Sequence, residues 1–319
     1  MKRPAKPRFL PTQLATLVDV VPTGAEWAFE VKYDGYRIEA LIHDRKARLL
    51  TRHGKDWTRR FPAVAERLSR LPVESATLDG ELVALDQAGD SKFSLLQQSL
   101  DAERPQRLTY FVFDLLQVDG ENLRSRSLDE RRRRLELLLR RAGATRSGAV
   151  RIGRRLRGTG SALLRAACRR GLEGIIAKQR DAPYRGRRNR AWVKIKCGQR
   201  QELIVIGFTP PKGSRIGVGS LLLGVYQNGM LRYAGRVGSG MDDAMLRRLR
   251  RRLVHIARVT SPLNAMPTGV PAAACWVQPR MVVEVSFTEW TRTGRLRHPV
   301  FQGLRDDKAP REVHRERAR

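Results

Sequence analysis

The pattern of hydrophobic and turn residues changes near Gly198, and this change most constrains how the chain can fold. Before it, strand-like alternation such as that in residues 27–51 is mixed with amphipathic helical segments. After it, short β-rich runs separated by glycines follow one another, with one helical segment at Asp242–Ala257. A chain of 319 residues also exceeds the size that one hydrophobic core usually serves. We therefore predict two domains, 1–198 and 199–319.

Each part has its own predicted architecture. The first is α+β, with strands near Ala76–Leu85 and Leu108–Leu116 and helices near Phe61–Leu71 and Ser161–Arg170. The second combines glycine-punctuated β-hairpins with a single helix, a combination that favours a small barrel of the OB type.

The charge is strongly positive along the whole chain. Lys and Arg number 63 and Asp and Glu 32, a formal net charge of +31, divided as +19 before residue 199 and +12 after it. Neither a basic amphipathic membrane helix nor a lipidation motif stands out, so nucleic acid is the favoured polyanionic partner. Arginine-rich compositional drift accounts for part of the excess, because 52 of the basic residues are arginine and only 11 are lysine.

A helix is predicted to begin after Ser127, where Ser127 and Glu130 form a capping box, and to end near Arg141. Four consecutive arginines, Arg131–Arg134, fall in its first turns. A charge run on a helix usually covers a solvated face, so we interpret this block as exposed, with contact to DNA as the alternative.

The cysteines and the apolar runs indicate the compartment. Cys168, Cys197 and Cys275 are far apart and form no CxxC pair, which argues against a zinc module and against a disulfide framework and fits a reducing cytosol. No apolar run is long enough to span a bilayer, and no signal peptide is visible. We expect a soluble, cytoplasmic protein without membrane association.

The scarce lysines are the most informative residues. In Glu30-Val-Lys-Tyr-Asp-Gly-Tyr-Arg37, Lys32 follows a strand and precedes an Asp-Gly turn. A Lys-x-Asp-Gly segment alone is a common hairpin edge, but arginine cannot lose its proton and lysine can, so a retained lysine suggests a need for an amine. Lys194 and Lys196 alternate along one strand and therefore share a face, where cations suit a phosphate.

The lysines belong to short segments that occur in a recognisable order. These are KYDGYR (32–37), TRHGKDWT (51–58), LDGELVAL (78–85), YFVFDLL (110–116), GLEGIIAK (171–178), WVKIK (192–196) and RDDK (305–308). The ordered set resembles the ATP-dependent DNA ligases of the covalent nucleotidyltransferase superfamily over nearly the whole chain. Residues 200–226 and 287–308 are similar to the ligase module of bacterial ligase D, an enzyme of non-homologous end joining.

The resemblance implies a fold and a set of roles. The fold would be a nucleotidyltransferase domain of ATP-grasp-like antiparallel sheets with helices, followed by an OB-fold barrel. The catalytic residues would be Lys32, which becomes AMP-lysine, together with Asp34, Lys194 and Lys196. The ATP-binding residues would be Glu30, Arg37, Arg52, Glu81, Phe113, Glu173, Arg188, Lys194, Lys196, Arg305, Asp307 and Lys308. The ligands of Mg²⁺ or Mn²⁺ would be Asp34, Glu81 and Glu173, since these metals prefer oxygen donors.

Some of these roles compete with simpler interpretations. Phe113 would stack on adenine, although an aromatic residue in a buried strand is more often part of the core. Glu173, taken alone, would be a surface residue. Arg188 would contact a phosphate, but the glycine before it stands one position earlier than the family pattern.

The resemblance also implies an activity, which is sealing of nicks or double-strand breaks through lysyl-AMP and DNA-adenylate intermediates. An mRNA capping guanylyltransferase or RNA ligase is the alternative within the superfamily, and a catalytically silent DNA-end-binding module is the alternative outside enzymes. An NAD-dependent ligase is disfavoured, because the chain begins directly with the nucleotidyltransferase domain and has no four-cysteine zinc site. The expected partners of this monomer near the bacterial nucleoid are nicked or broken duplex DNA, a Ku-like end-binding protein and a polymerase or nuclease module.

Overall fold

The computed structural model describes residues 5–101, 108–143, 148–211, 213 and 216–316. The chain forms two compact units, the first ending at Cys197 and the second beginning at Gly198. Helices and mostly antiparallel strands are mixed in the first unit and strands dominate the second, so the predicted α+β fold class is confirmed.

In its described residues, the first unit contains two sheets and four α-helices. Its strands are β1 (Leu14–Leu17), β2 (Trp27–Val31), β3 (Tyr36–His43), β4 (Lys46–Thr51), β5 (Ser75–Ala84), β6 (Leu108–Val118), β7 (Glu121–Asn122), β8 (Val150–Ile152), β9 (Arg155–Leu156), β10 (Gly174–Gln179) and β11 (Arg188–Lys196). Its helices are α1 (Pro62–Ser69), α2 (Phe93–Asp101), α3 (Leu128–Arg141) and α4 (Gly160–Arg169). One sheet has the order β1-β11-β10-β2-β9, and the other has the order β4-β3-β5-β6-β7, with β8 beside β6.

Strand alternation gives each of these sheets one apolar face and one face that carries functional groups. In β3, Tyr36, Ile38 and Ala40 point into the main core of the unit, so Arg37 and Glu39 must point to the opposite face. In the other sheet, the residues that pack under α4 are Phe29, Ile175, Ala177, Val193 and Ile195. The strand residues between them therefore project from the other face of that sheet.

The arginine block of α3 is not a solvated face, and our interpretation was wrong for its first two members. Arg131 is fully buried and binds Asp114 through two hydrogen bonds of 2.7 and 2.9 Å. Arg132 is buried as well and donates to the carbonyl of Gly153. The reason is helical periodicity, because Arg131 lies three residues after buried Leu128 and thus on the buried side of the helix.

Breaking the Arg131–Asp114 pair is expected to destabilise the first unit severely. Arg131→Met should lower the free energy of unfolding by about 3–5 kcal/mol, because Asp114 would keep a buried charge without its partner. Arg133→Met, at an exposed position of the same helix, should change it by less than about 0.5 kcal/mol. Urea denaturation measures both, and equal, small effects would show that the buried pair contributes nothing.

The expectation of free cysteines was also wrong, since Cys168 and Cys197 form a disulfide bond and only Cys275 is free. Cys168 lies in the last turn of α4 and Cys197 directly follows β11, and their Cα atoms are 5.1 Å apart. The spacing of 29 residues along the chain gave no sign of this contact, because it arises only when α4 packs on its sheet.

The second unit is a strand-rich barrel of the predicted OB type. Its strands are β12 (Gln199–Thr209), β13 (Ser220–Gln227), β14 (Met230–Val237), β15 (Ala257–Arg258), β16 (Cys275–Phe287), β17 (Glu289–Trp290), β18 (Leu296–Arg297) and β19 (Val300–Leu304), and its helix is α5 (Asp243–Val254). The main sheet has the order β14-β13-β12-β16-β15, with β19 also paired to β16. Leu246, Leu249 and Leu253 of α5 pack into its core. None of the helices in the described ranges is long and apolar enough to cross a membrane.

Candidate active site

Lys32 stands between β2 and β3, at the end of a strand whose backbone is fixed on both sides. Its backbone N–H donates to the carbonyl of Gly174 at 3.1 Å. Its ammonium lies 2.5 Å from a carboxylate oxygen of Glu173, and the side chains are 19% and 7% exposed. The amine therefore lies at an accessible edge in an ion pair, and it must give up this partner and a proton before it can act as a nucleophile.

A cavity beside Lys32 is lined by residues from both sheets of the first unit. The lining includes six residues of interest for ligand binding from β2, the turn after it, β3, β5, β6 and β10, and these are Glu30, Lys32, Arg37, Glu81, Phe113 and Lys178. Five of the six are predicted site residues. The strand pairing explains the convergence, because Glu30 lies opposite Ile176 in one sheet and Arg37 lies opposite Glu81 in the other.

Lys178 forms a buried pair with Glu30 in the wall of this cavity. The ammonium and carboxylate are 2.6 Å apart, and both side chains are almost fully buried. The ammonium also lies 4.3 Å from the ring centroid of Phe113 and 4.0 Å from that of Trp192. Burial lowers the pKa of Lys178, and the charge of Glu30 opposes this shift. The sequence singled out Lys178 as a motif lysine, but it assigned no role to it.

Two polar atoms of the cavity residues lack a protein partner. Oε1 of Glu30, an acceptor, and Nε1 of Trp192, a donor, are buried without a hydrogen bond to any residue that the structure describes. A buried polar group without a partner is costly, so such atoms indicate a missing ligand or water. The pair offers one acceptor and one donor to a bound molecule.

Arg37 is held by a closed ring of buried hydrogen bonds. Asp79 accepts from its guanidinium at 2.5 and 2.7 Å, and Tyr184 Oη donates to the same carboxylate at 2.7 Å. The backbone N–H of Gln13 donates to Tyr184 Oη at 2.8 Å, and the Gln13 carbonyl accepts from Arg37 at 3.3 Å. The guanidinium carbon lies 4.4 Å from the ring centroid of Phe113. The ring fixes the orientation of Arg37 against the cavity.

The other predicted residues of the first unit do not line the cavity. Lys194 and Lys196 are half-buried on β11, opposite Ile176 and Gly174 of β10, and thus share a sheet face with Lys178 and Glu30. Asp34 is buried beside α2, where its carboxylate accepts from the backbone N–H of Phe93 at 3.2 Å.

Two predicted arginines occupy the periphery. Arg188 begins β11 and donates to the carbonyl of Ala15, which itself lines the cavity. Arg52 is half-buried in the turn directly after β4 and does not line the cavity.

In the second unit, the three predicted residues form their own ion-pair network. Arg305 binds Asp307 at 2.9 and 2.8 Å and Glu284 at 2.7 Å. Lys308 lies 3.2 Å from a carboxylate oxygen of Glu202. The charges of Asp307 and Glu284 raise the pKa of Arg305, outweighing the opposite effect of burial. The network holds these cations in place on the barrel.

The family of the chain follows from two matches that together cover most of it. A family model described as "ATP dependent DNA ligase domain" matches residues 12–196, and one described as "ATP dependent DNA ligase C terminal region" matches residues 214–308. The chain belongs to the ATP-dependent DNA ligases. The predicted enzyme class is thereby confirmed.

Two curated proteins that are similar to the chain are named for non-homologous end joining. The chain is 44% identical over 315 residues, 98% of its length, to a protein of Pseudomonas aeruginosa named "Multifunctional non-homologous end joining protein LigD", of which it covers 37%. It is 38% identical to the Mycobacterium tuberculosis protein named "Multifunctional non-homologous end joining DNA repair protein LigD", covering 92% of this chain and 38% of that one. The ligase thus spans less than two fifths of the length of these curated relatives.

The fold also matches a solved structure described as "mycobacterial DNA ligase D complexed with ATP and MES". The TM-score is 0.71 at 35% identity, over 96% of this chain and 98% of that one. A second match is the ligase domain from M. tuberculosis LigD, with a TM-score of 0.52 at 37% identity, over 96% of this chain and 98% of that one. The resemblance drawn from the ordered motifs is confirmed.

The three predicted metal ligands of the ligase do not all lie at the cavity. Among the described residues, no group of three or more His, Cys, Asp or Glu side chains is placed to hold a metal ion. Glu81 lines the cavity and Glu173 reaches Lys32, whereas Asp34 faces α2. Mg²⁺ is usually bound by one or two carboxylates together with substrate phosphates, so Glu81 and Glu173 fit that mode.

A buried carboxyl group next to the Arg37 ring should make the stability of the ligase depend on pH. Burial raises the pKa of Glu39 to about 8. The folded state then retains a proton that the unfolded state loses, so the free energy of unfolding should fall as the pH rises from about 5 to 8. Glu39→Gln keeps the oxygen that accepts from the Leu10 N–H and should flatten this dependence. Urea denaturation at pH 5.5 and 8.5 measures the free energy of unfolding of the parent and of Glu39→Gln. An equal change between the two pH values in both proteins would contradict the prediction.

Proposed function

We propose that the ligase seals breaks in duplex DNA with ATP through a lysyl-AMP intermediate on Lys32. The observation that carries the proposal is the placement of the Lys32 amine beside a cavity that presents an unpartnered acceptor, an unpartnered donor and an aromatic ring. These groups suit a purine base, and the nearby cations suit its phosphates.

In the first step, Lys32 Nζ would attack the α-phosphorus of ATP. A nitrogen–phosphorus bond forms, the bond to the bridging oxygen of the β-phosphate breaks, and pyrophosphate leaves with the bonding electrons. Glu173, the partner of the Lys32 amine, would accept its proton. Lys194 and Lys196 on the shared sheet face would offset the charge that develops on the phosphate oxygens.

The later steps reuse the same groups. The 5′-phosphate of the broken strand would attack the phosphorus of lysyl-AMP and release the Lys32 amine, giving a DNA-adenylate. The 3′-hydroxyl would then attack the 5′-phosphorus, forming the phosphodiester bond and expelling AMP. Arg37, fixed by Asp79, would hold first the nucleotide and then the DNA phosphate. When bound, Mg²⁺ on Glu81 or Glu173 would neutralise charge on the phosphate oxygens.

The choice of adenine over guanine is supported by the cavity. Oε1 of Glu30 is the unpartnered oxygen of a carboxylate whose other oxygen accepts from Lys178, so it offers an acceptor to a base. Adenine carries an amino group at C6, whereas guanine carries a carbonyl oxygen there, which the carboxylate would repel. This observation favours a DNA ligase over a guanylyltransferase of the same superfamily.

The relatives named for non-homologous end joining support a role in that repair pathway. We infer that the partners are nicked or broken duplex DNA, a Ku-like end-binding protein and a polymerase or nuclease module, and that the ligase acts near the nucleoid. Addition of such an end-binding protein should increase joining of linear duplexes more than sealing of nicks.

The direct test of the proposed function uses a labelled nicked duplex with ATP, GTP or NAD and Mg²⁺. We expect sealing with ATP alone, and Glu30→Gln should weaken the discrimination of ATP from GTP. The absence of sealing with every nucleotide would contradict the ligase proposal. Sealing or self-labelling with GTP alone would favour the guanylyltransferase alternative.

A further inference from the structure

The exposed side of α5 carries arginines that have no partners. Leu246, Leu249 and Leu253 face the barrel core, whereas Arg247 and Arg251 lie four residues apart on the exposed side. Neither arginine side chain forms an ion pair or hydrogen bond with another residue in the described parts of the chain. Like charges four residues apart on a helix repel each other, so this face is unfavourable unless an anion covers it.

Several other arginines of the chain form ion pairs within the fold. In α3, Arg132 binds Glu136 at 2.9 Å, and Arg134 lies 2.6 Å from Glu121. Within α5 itself, Arg252 binds Asp306 at 2.7 Å. Arg247 and Arg251 have no such ion pair among the described residues, so their charges are available to an external anion.

More positive charge follows at the end of the helix. Arg258 of β15 is exposed two residues after Ile256, and the carbonyl of Ile256 accepts from the backbone N–H of Gln278 at 2.8 Å. This bond brings β16 beside the end of α5, and the exposed Arg280 lies two residues further along β16. We call Arg247, Arg251, Arg258 and Arg280 the α5 basic face.

We infer that the α5 basic face binds the phosphate backbone of duplex DNA, as a contact separate from the groups that hold the reacting phosphate. The inference rests on the proposed function, which makes duplex DNA the substrate. Guanidinium groups suit phosphate oxygens, and backbone contacts of this kind position a protein without reading sequence. An acidic protein is the weaker fit, because none of these four positions offers the aromatic anchor on which protein interfaces depend.

Salt dependence of DNA binding tests the inference. The full chain and the double variant Arg247→Gln/Arg251→Gln are compared by fluorescence anisotropy on a nicked duplex without ATP. Each lost phosphate contact should lower the slope of log affinity against log salt by about 0.9, so the variant should lose about 1.8. If the plots of log affinity against log salt for the full chain and the variant meet near 1 M salt, the variant should bind DNA some tens of times more weakly than the full chain at about 0.1 M.

A matched control separates a local contact from a loss of net charge. Arg133→Gln/Arg141→Gln removes the same charge from exposed positions of α3 in the first unit. A slope that is unchanged in the α5 variant, or lowered equally in both variants, would overturn the inference. Self-adenylation needs no DNA and should proceed normally in the α5 variant, so a failure of the proposed function would show itself separately, as a wild-type chain that is never adenylated.

Discussion

Replacing Lys32 by arginine is expected to abolish adenylation of the ligase. The guanidinium keeps the positive charge opposite Glu173 but cannot lose a proton to become a nucleophile. The rate should fall by about 10⁴-fold or more, the scale on which enzymes lose turnover without their nucleophile. Lys46→Arg, at an exposed position outside the motifs, is the matched control and should retain full activity. Transfer of α-labelled AMP to the protein measures both.

The same variant should still perform the last step. A nick that already carries AMP on its 5′-phosphate needs no enzyme nucleophile, so Lys32→Arg should join it with a rate much closer to that of the parent. Loss of this joining together with adenylation would point to misfolding or to a broader role of Lys32. Retained self-labelling with ATP would remove Lys32 as the nucleophile.

Loss of the Asp79 carboxylate is expected to have the second largest effect. Asp79→Asn removes the charged, two-point support of Arg37, and a group displaced by about 1 Å can cost about 100-fold in rate. Tyr184→Phe removes the two hydrogen bonds that Tyr184 Oη makes in the ring, with Asp79 and with the Gln13 N–H, and should cost about tenfold. Asp181→Asn, at an exposed position three residues before Tyr184, should have no effect.

A positioning role predicts a particular kinetic pattern for these variants. If Arg37 acts in the transition state, the turnover number of sealing should fall while the apparent affinity for ATP changes less. Thermal unfolding of each variant separates this effect from loss of the fold. A fall in stability that accounts for the whole loss of activity would mean that the ring is structural only.

The sequence predicted those parts of the site that reside in short local segments. Glu30, Lys32 and Arg37 belong to β2, the turn after it and the start of β3. Their convergence with Glu81 and Phe113 follows from strand alternation in paired strands. Glu173 was identified only through the family pattern, since a single glutamate in a loop gives no sign that it will meet Lys32.

The residues that the sequence missed act across long separations. Gln13 and Tyr184 lie 171 positions apart and meet because β1 pairs with β11. Buried Arg131 was misjudged because a run of like charges conceals the helical position of each member. The disulfide between Cys168 and Cys197 depends on the packing of α4 and not on any cysteine spacing. In each case, tertiary packing overrides the local pattern.

The proposed mechanism is tested most directly by identifying the residue that becomes adenylated. The full chain is incubated with Mg²⁺ and α-labelled ATP, digested and mapped by mass spectrometry. We expect AMP on Lys32 and its removal when nicked DNA is added, with the nick sealed in the same reaction. AMP on another lysine, or sealing without any adenylated protein, would contradict the proposed lysyl-AMP mechanism on Lys32.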